Sequence, residues 1–135
     1  MARVDYADAF EIARDPNDLR TPEEWARAGM DDLSFPGQPF GRLAHRWLLG
    51  FRLGPQPSAG HVFGWPIASS TPDQLHLRVE GSLMTGHMVW QLLPDRLVWT
   101  TSLEFHNPAA AGVWAVLGNV HRSAVPGVLV KASRG

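Results

Sequence analysis

Apolar and polar residues alternate along five segments of the chain, and this two-residue period is typical of half-buried β-strands. The predicted strands span residues 6–12, 61–67, 75–80, 86–93 and 97–105. In the third strand, leucine and valine fall on one face, while histidine, arginine and glutamate fall on the other. Pro66 cannot donate a ladder hydrogen bond, so the second strand is predicted to lie at a sheet edge or to contain a bulge.

The last quarter of the chain has a helical period instead, and residues 108–132 are predicted to be mainly helical. Asn107 is a suitable N-cap, and Pro108 fits the first helical position because it has no N–H to leave unpaired. The predicted buried stripe consists of Val113, Leu117, Val120, Ala124 and Val128, with Trp114 and His121 beside it. Pro126 removes one backbone hydrogen bond, which predicts a kink in a single helix or, alternatively, two helices.

Two shorter helices are predicted between the first two strands. Residues 21–24 form a capping box with proline at the first helical position, and this helix carries Trp25 and ends near Gly29. The second helix, residues 40–52, has an apolar face made of Leu43, Trp47, Leu48 and Phe51. Proline and glycine predict loops at 30–40 and 54–60. This order of elements predicts an α+β fold, with a curved antiparallel sheet around the long C-terminal helix.

Composition limits the classes of function. A chain of 135 residues is predicted to form a single domain over 1–135. The net charge is -1, and the arginines do not cluster with aromatic residues, so nucleic acid is not an expected partner. The absence of cysteine excludes disulfides and thiolate metal sites and favours a reducing, cytoplasmic location. No signal peptide or membrane-spanning segment is predicted.

The order of elements resembles the helix-grip fold of the START-like, pollen-allergen-like superfamily, also called SRPBCC. The stretches DYADAFEI, TPEEWARA, LLGFRLGP, VFGWPI and WAVLGNVHRSAVPGVL are similar to an uncharacterised bacterial branch of that superfamily. The resemblance implies a hydrophobic cavity between helix and sheet, and relatives include lipid carriers, polyketide cyclases and hydroxylase-associated domains. It assigns no catalytic residue to this chain, which is short for the superfamily.

The residues expected to surround a ligand come from the last two strands and the long helix. Trp90 and Trp99 lie opposite each other if residues 94–95 form the turn between those strands. Such a pair is either an aromatic wall for a flat ligand or a cross-strand pair that stabilises the sheet. The predicted ligand-binding residues are Met88, Trp90, Trp99, Thr101, Leu103, Trp114, Leu117 and His121.

Two ionisable residues stand among apolar neighbours and are candidates for acid–base chemistry. His121 is either a general acid or base, or a buried histidine bonded to a backbone carbonyl. Asp8 shares a strand face with aromatic and aliphatic residues, so it is either paired or protonated there, or it lies at a wet rim of the sheet. The six histidines lack zinc-site spacing, and no phosphate-binding loop is present, so neither a metal nor a cofactor is expected.

Three functional hypotheses remain at this point, and the sequence leaves open whether the protein is an enzyme. The leading one is a binding module for a hydrophobic small molecule that is flat or acyl-like. The second is a cofactor-independent enzyme of the cyclase or dehydratase type that uses His121 or Asp8 to move a proton. The third is an interaction protein that buries Trp65 and the aromatic residues of 30–40 against a partner, with a homodimer among the expected partners.

Overall fold

The computed structural model describes residues 4–31 and 59–134. Its strands are β1 (Tyr6–Ala13), β2 (His61–Val62), β3 (Trp65–Ser70), β4 (Gln74–Glu80), β5 (Met84–Leu92) and β6 (Arg96–Phe105). Its helices are α1 (Pro22–Ala26), which continues as a π-helical turn (Arg27–Asp31), and α2 (Pro108–Arg134). The α+β prediction is confirmed. The predicted helix 40–52 lies outside the described residues, as do most of the predicted loops.

The strands within these ranges form one antiparallel sheet in the order β1-β6-β5-β4-β3-β2, so the first strand pairs with the last. Alternation fixes which side chains share a face. The inner face, which α2 covers, carries Tyr6, Asp8, Phe10 and Ile12 from β1 opposite Leu103, Thr101, Trp99 and Leu97 from β6. The predicted turn at 94–95 is confirmed, because Leu93 N–H donates to the Arg96 carbonyl at 2.8 Å. It places Trp90 directly opposite Trp99.

The second predicted strand, 61–67, is wrong as a single strand. The structure divides it into β2 and β3, which are joined by the two-residue turn of Phe63 and Gly64. Both turn residues have positive φ, 53° and 82°, as the tightest hairpin turns require. A phenylalanine rarely takes this conformation, and Phe63 is largely buried here, so its packing compensates the strain. The sequence predicted an edge strand or a bulge here: β2 is at the edge of the sheet, and the register between β3 and β4 shifts between Ile67 and Ser69.

Helix α2 begins as predicted. The Ala110 N–H donates to Asn107 Oδ1 at 3.3 Å, and the helix then continues through Pro126 without interruption. The alternative of two helices is therefore wrong. Residues 108–134 supply the longest helix in the described ranges, and no helix there is long and apolar enough to cross a membrane.

The face that α2 buries differs from the predicted stripe. The buried residues are Ala110, Trp114, Gly118, Val125, Leu129 and Ala132. Val120 is 59% exposed and Ala124 is also exposed, whereas Leu117 is partly buried at the margin of the core. The stripe is rotated by about one residue, so that Trp114 and His121 face the sheet. Small residues on most sides of α2 made its apolar face ambiguous in the sequence.

The short helix α1 and its π-helical turn hold α2 against the sheet. The predicted capping box of α1 is confirmed: Glu24 N–H donates to Thr21 Oγ1 at 3.2 Å, and Thr21 N–H donates to Glu24 Oε1 at 3.0 Å. In the π-helical turn, a Cβ on Gly29 would lie 2.9 Å from the Val128 carbonyl oxygen of α2. Glycine is therefore needed for this close approach.

The rotated stripe can be tested with a matched pair of substitutions on α2. Val125→Ala should lower the free energy of unfolding by about 2 kcal/mol, because Val125 is 2% exposed and the change leaves a cavity. Val120→Ala should change it by less than about 0.5 kcal/mol, since that side chain faces solvent. Urea denaturation measures both. Equal losses, or a larger loss at Val120, would contradict the observed orientation of the helix.

Candidate functional site

The candidate site is built around Asp8, whose side chain is 13% exposed on the inner face of β1. Its Oδ2 atom lies 3.0 Å from Nε2 of His121, a residue 113 positions later in the chain. The Tyr6 hydroxyl donates to the same Oδ2 atom. Both partners follow from local geometry: Tyr6 is two residues away on the same strand face, and His121 belongs to the stripe that α2 turns toward the sheet. The structure thus brings together the two residues predicted separately for acid–base chemistry.

The contact with Asp8 determines the protonation pattern of the His121 ring. A carboxylate oxygen accepts only, so Nε2 carries the hydrogen and Nδ1 keeps the lone pair of the neutral ring. Burial lowers the pKa of His121 below its usual value, although the Asp8 carboxylate opposes that shift. His121 is therefore neutral at pH 7. The chemistry of this arrangement is that of a base whose tautomer is fixed by a carboxylate.

Aromatic rings surround the imidazole of His121. The ring of Trp99 meets it edge-on at 6.2 Å between centroids, and the ring of Trp114 lies at 5.4 Å. Tyr6 in turn meets Trp114 edge-on at 5.0 Å. These rings exclude water from the imidazole, and this dehydration lowers its pKa.

Arg122 extends the polar network to the surface. Its Nη1 donates to the Tyr6 hydroxyl at 3.1 Å, and its Nη2 donates to Asn119 Oδ1 at 2.7 Å. Burial and the bond to Asp8 raise the pKa of Tyr6, so the phenol stays protonated and remains a donor to the carboxylate. Gly118 leaves the necessary space, because a Cβ there would lie 3.0 Å from both the Trp114 indole nitrogen and Arg122 Nη1.

Beside this network, several buried polar atoms have no hydrogen-bond partner among the described residues. Near the network they are Asp8 Oδ1, Thr101 Oγ1 and the indole nitrogens of Trp90, Trp99 and Trp114, and elsewhere Arg14 Nε and the Trp25 indole nitrogen also lack a partner. Asp8 and Thr101 are directly opposite each other on β1 and β6, and Thr101 is 3% exposed. More than nine-tenths of buried polar groups in proteins are paired, so a cluster of unpaired ones requires an explanation.

The predicted ligand-binding residues all belong to the core or its margin. Met88, Trp90, Trp99, Thr101 and Leu103 share the inner face of β5 and β6, and the rings of Trp90 and Trp99 stack at 4.6 Å between centroids. The surface depressions of the described residues include one on the outer face of the sheet and one on the exposed side of α2. Neither includes this set, so an internal cavity stays a prediction.

Sequence reasoning missed two members of the network. Tyr6 shares a strand face with Asp8, and that spacing was a signal for their hydrogen bond. Arg122 is exposed on α2, but its long side chain reaches the Tyr6 hydroxyl. Within residues 4–31 and 59–134, no group of three or more histidine, aspartate or glutamate side chains could hold a metal ion.

The chain is similar to the Mll3558 protein from Rhizobium loti, a crystal structure, with 14% sequence identity and a TM-score of 0.39. The match covers 95% of this chain and 93% of that chain. No protein-family model and no curated protein matches the chain. The fold and site therefore define a class in structural terms only: an antiparallel sheet covered by a C-terminal helix.

The coupling between His121 and Asp8 predicts the titration of the imidazole. Asp8→Asn removes the carboxylate that favours the imidazolium, so the pKa of His121 should fall further below its usual value. An NMR titration of the His121 ring in both proteins measures the shift. His61 is the internal control, because β2 lies at the opposite end of the strand order from β1, which carries Asp8. An unchanged midpoint for His121 would mean that the two groups are not coupled in solution.

The same lowered pKa has a consequence for stability. The unfolded chain binds a proton at His121 near pH 6.5, whereas the folded protein binds it only at lower pH. This contribution to the free energy of unfolding is therefore fully present above about pH 6.5 and is lost as the pH falls toward the folded-state value. His121→Gln should remove that part of the pH dependence.

Proposed function

We propose that the protein binds a small, flat molecule between α2 and the inner face of the sheet, next to Asp8, Thr101 and Trp99. The observation that carries the proposal is the set of unpaired polar atoms at these three residues. Each buried polar group without a partner costs about 1–3 kcal/mol. A bound molecule that pairs with these groups would offset that cost.

The unpaired atoms specify the chemistry of the ligand. The Thr101 hydroxyl and the Trp99 indole N–H donate, while Asp8 Oδ1 accepts. A matching ligand carries an acceptor and a donor on an aromatic or other planar frame, as a phenol, an amide or an enol does. A carboxylate ligand fits poorly, because its negative charge would lie beside that of Asp8. The expected ligand is therefore flat or acyl-like and, in addition, electrically neutral.

The fold agrees with this proposal in its coarse features. A strand, a short helix, an antiparallel meander and a long C-terminal helix follow each other as in the helix-grip fold of the START-like superfamily. Membership of that superfamily, with its ligand cavity between helix and sheet, is part of the proposal.

A second function, proton transfer, is favoured by the hydrogen bond between His121 Nε2 and Asp8 Oδ2. The lone pair on Nδ1 would take a proton from a carbon next to a ligand carbonyl, leaving an enolate, and Asp8 would stabilise the imidazolium. The test uses 2-tetralone, a flat ketone, in D₂O: NMR should show faster exchange of its α-hydrogens with the protein than with folded His121→Gln. Equal exchange rates in the two proteins would contradict proton transfer by His121, and binding would remain as the proposed function.

The binding proposal predicts that Thr101→Val raises stability and weakens binding at once. The substitution removes an unpaired hydroxyl at almost constant volume, so the free energy of unfolding should rise by about 1 kcal/mol or more. Thr100→Val, on the outer face of the same strand, is the control and should change it by less than about 0.5 kcal/mol. Destabilisation by Thr101→Val would mean that the hydroxyl has a hydrogen-bond partner in the folded protein. The binding proposal would then lose the observation on which it rests.

Binding itself is measured with prodan, a neutral, flat aromatic ketone that accepts energy from tryptophan. Its carbonyl matches the donors at Thr101 and Trp99, although it has no hydrogen to donate to Asp8. Prodan should bind the folded protein, bind Thr101→Val less tightly, and be displaced by 2-naphthol better than by 2-naphthoate. Both compounds are flat naphthalenes, but 2-naphthoate is negatively charged and only 2-naphthol has a hydrogen to donate, so they test the effect of the Asp8 carboxylate. Failure of prodan to bind the folded protein would exclude the proposed pocket for ligands of this kind.

A further inference from the structure

The outer face of the sheet, opposite to α2, carries a pair of histidines that the proposed function does not use. His76 lies on β4 and His87 on β5, at diagonal positions, because His76 faces Val89 and His87 faces Arg78. The Nε2 atom of His76 is 2.8 Å from Nδ1 of His87. The two rings are nearly parallel, with 5.1 Å between centroids and 25° between planes. One hydrogen is shared between two nitrogens that both belong to half-buried side chains.

This geometry is close to that of two imidazoles on one metal ion. Zinc binds histidine nitrogen at about 2.0–2.1 Å in a tetrahedral arrangement, which places two ligand nitrogens about 3.3 Å apart. The observed distance between His76 Nε2 and His87 Nδ1 is shorter than this by about 0.5 Å, and small rotations of the two side chains would lengthen it to that value. The metal would replace the shared hydrogen, and each ring would bind it through the nitrogen that now faces the other ring.

The two histidines lie in a surface depression with charged neighbours. Burial lowers the pKa of His87, and the neighbouring His76 and Arg78 lower it further, while Glu104 opposes them. Both histidines open onto a depression that is also lined by Arg78, Glu104, Thr85, Ser102 and Val89. Arg78 is paired with Glu80 at 2.5 Å.

We propose that His76 and His87 form a site for a divalent transition metal, of the class of Zn²⁺ or Cu²⁺, on the outer face of the sheet. Imidazole nitrogen is a preferred ligand of both ions. Water completes the coordination, and the Glu104 carboxylate adds negative charge to the depression. The spacing of the two histidines in the sequence resembles no zinc motif, because the pair is assembled by the register of two strands. This proposal is independent of the ligand proposed for the inner face.

Isothermal titration of Zn²⁺ and of Cu²⁺ into the protein, free of any histidine tag, tests the site. One equivalent should bind, and His76→Ala and His87→Ala should each weaken binding at least tenfold. His61→Ala is the control for adventitious binding at a single surface histidine and should leave the affinity unchanged. Equal affinity in the wild type and in His87→Ala, or no binding to the wild type, would overturn the proposal.

Arg78→Gln separates a metal site from an anion site. The guanidinium is opposite His87 and repels a bound cation, so its removal should tighten metal binding severalfold. An anion held by Arg78 and the two rings would be lost by the same change, and titration with inorganic phosphate provides that comparison. If phosphate binds the wild type but not Arg78→Gln, and metal binding does not tighten in that variant, the depression is an anion site and the metal proposal is wrong.

Discussion

A carboxylate on an apolar sheet face sets the position of the long helix. Asp8 loses most of its hydration between Tyr6 and Phe10 on the inner face of β1, and a buried carboxylate requires hydrogen-bond partners. One partner, His121, belongs to α2, so their contact fixes which side of the helix faces the sheet. Once His121 points inward, helical geometry places Gly118 and Val125 on the same side. Val120 then faces solvent although it is apolar.

The features that could be predicted from the sequence are those set by neighbours along the chain. Alternation located the strands β1, β4, β5 and β6, and the turn at 94–95 was enough to place Trp90 opposite Trp99. The buried side of α2 could not be predicted, since the partner that orients it lies 113 residues earlier. The hairpin between β2 and β3 was missed because Phe63 occupies a turn position where glycine or asparagine is usual.

For the candidate site, too, the sequence revealed the individual residues but not the contacts between distant parts of the chain. Asp8 and His121 could each be singled out as a polar group among apolar neighbours, but their contact depends on the packing of α2. The unpaired state of Thr101 was hidden for a different reason: alternation gives the face of a residue and says nothing about its hydrogen bonds. The pairing of His76 with His87 likewise depends on the register between β4 and β5, which sequence spacing alone does not reveal.

The two oxygens of Asp8 link the proposed ligand to the stability of the fold. Oδ2 holds His121 and Tyr6, and thereby α2, while Oδ1 is the unpaired atom next to Thr101. A ligand that donates to Oδ1 would withdraw negative charge from the carboxylate and weaken its pull on the imidazole hydrogen. The ligand would also remove the cost of an unpaired buried oxygen. Because it binds only the folded protein, its binding would stabilise the folded state by mass action. Because one carboxylate serves both contacts, occupancy of the site and the pKa of His121 are coupled, and ligand binding should lower that pKa.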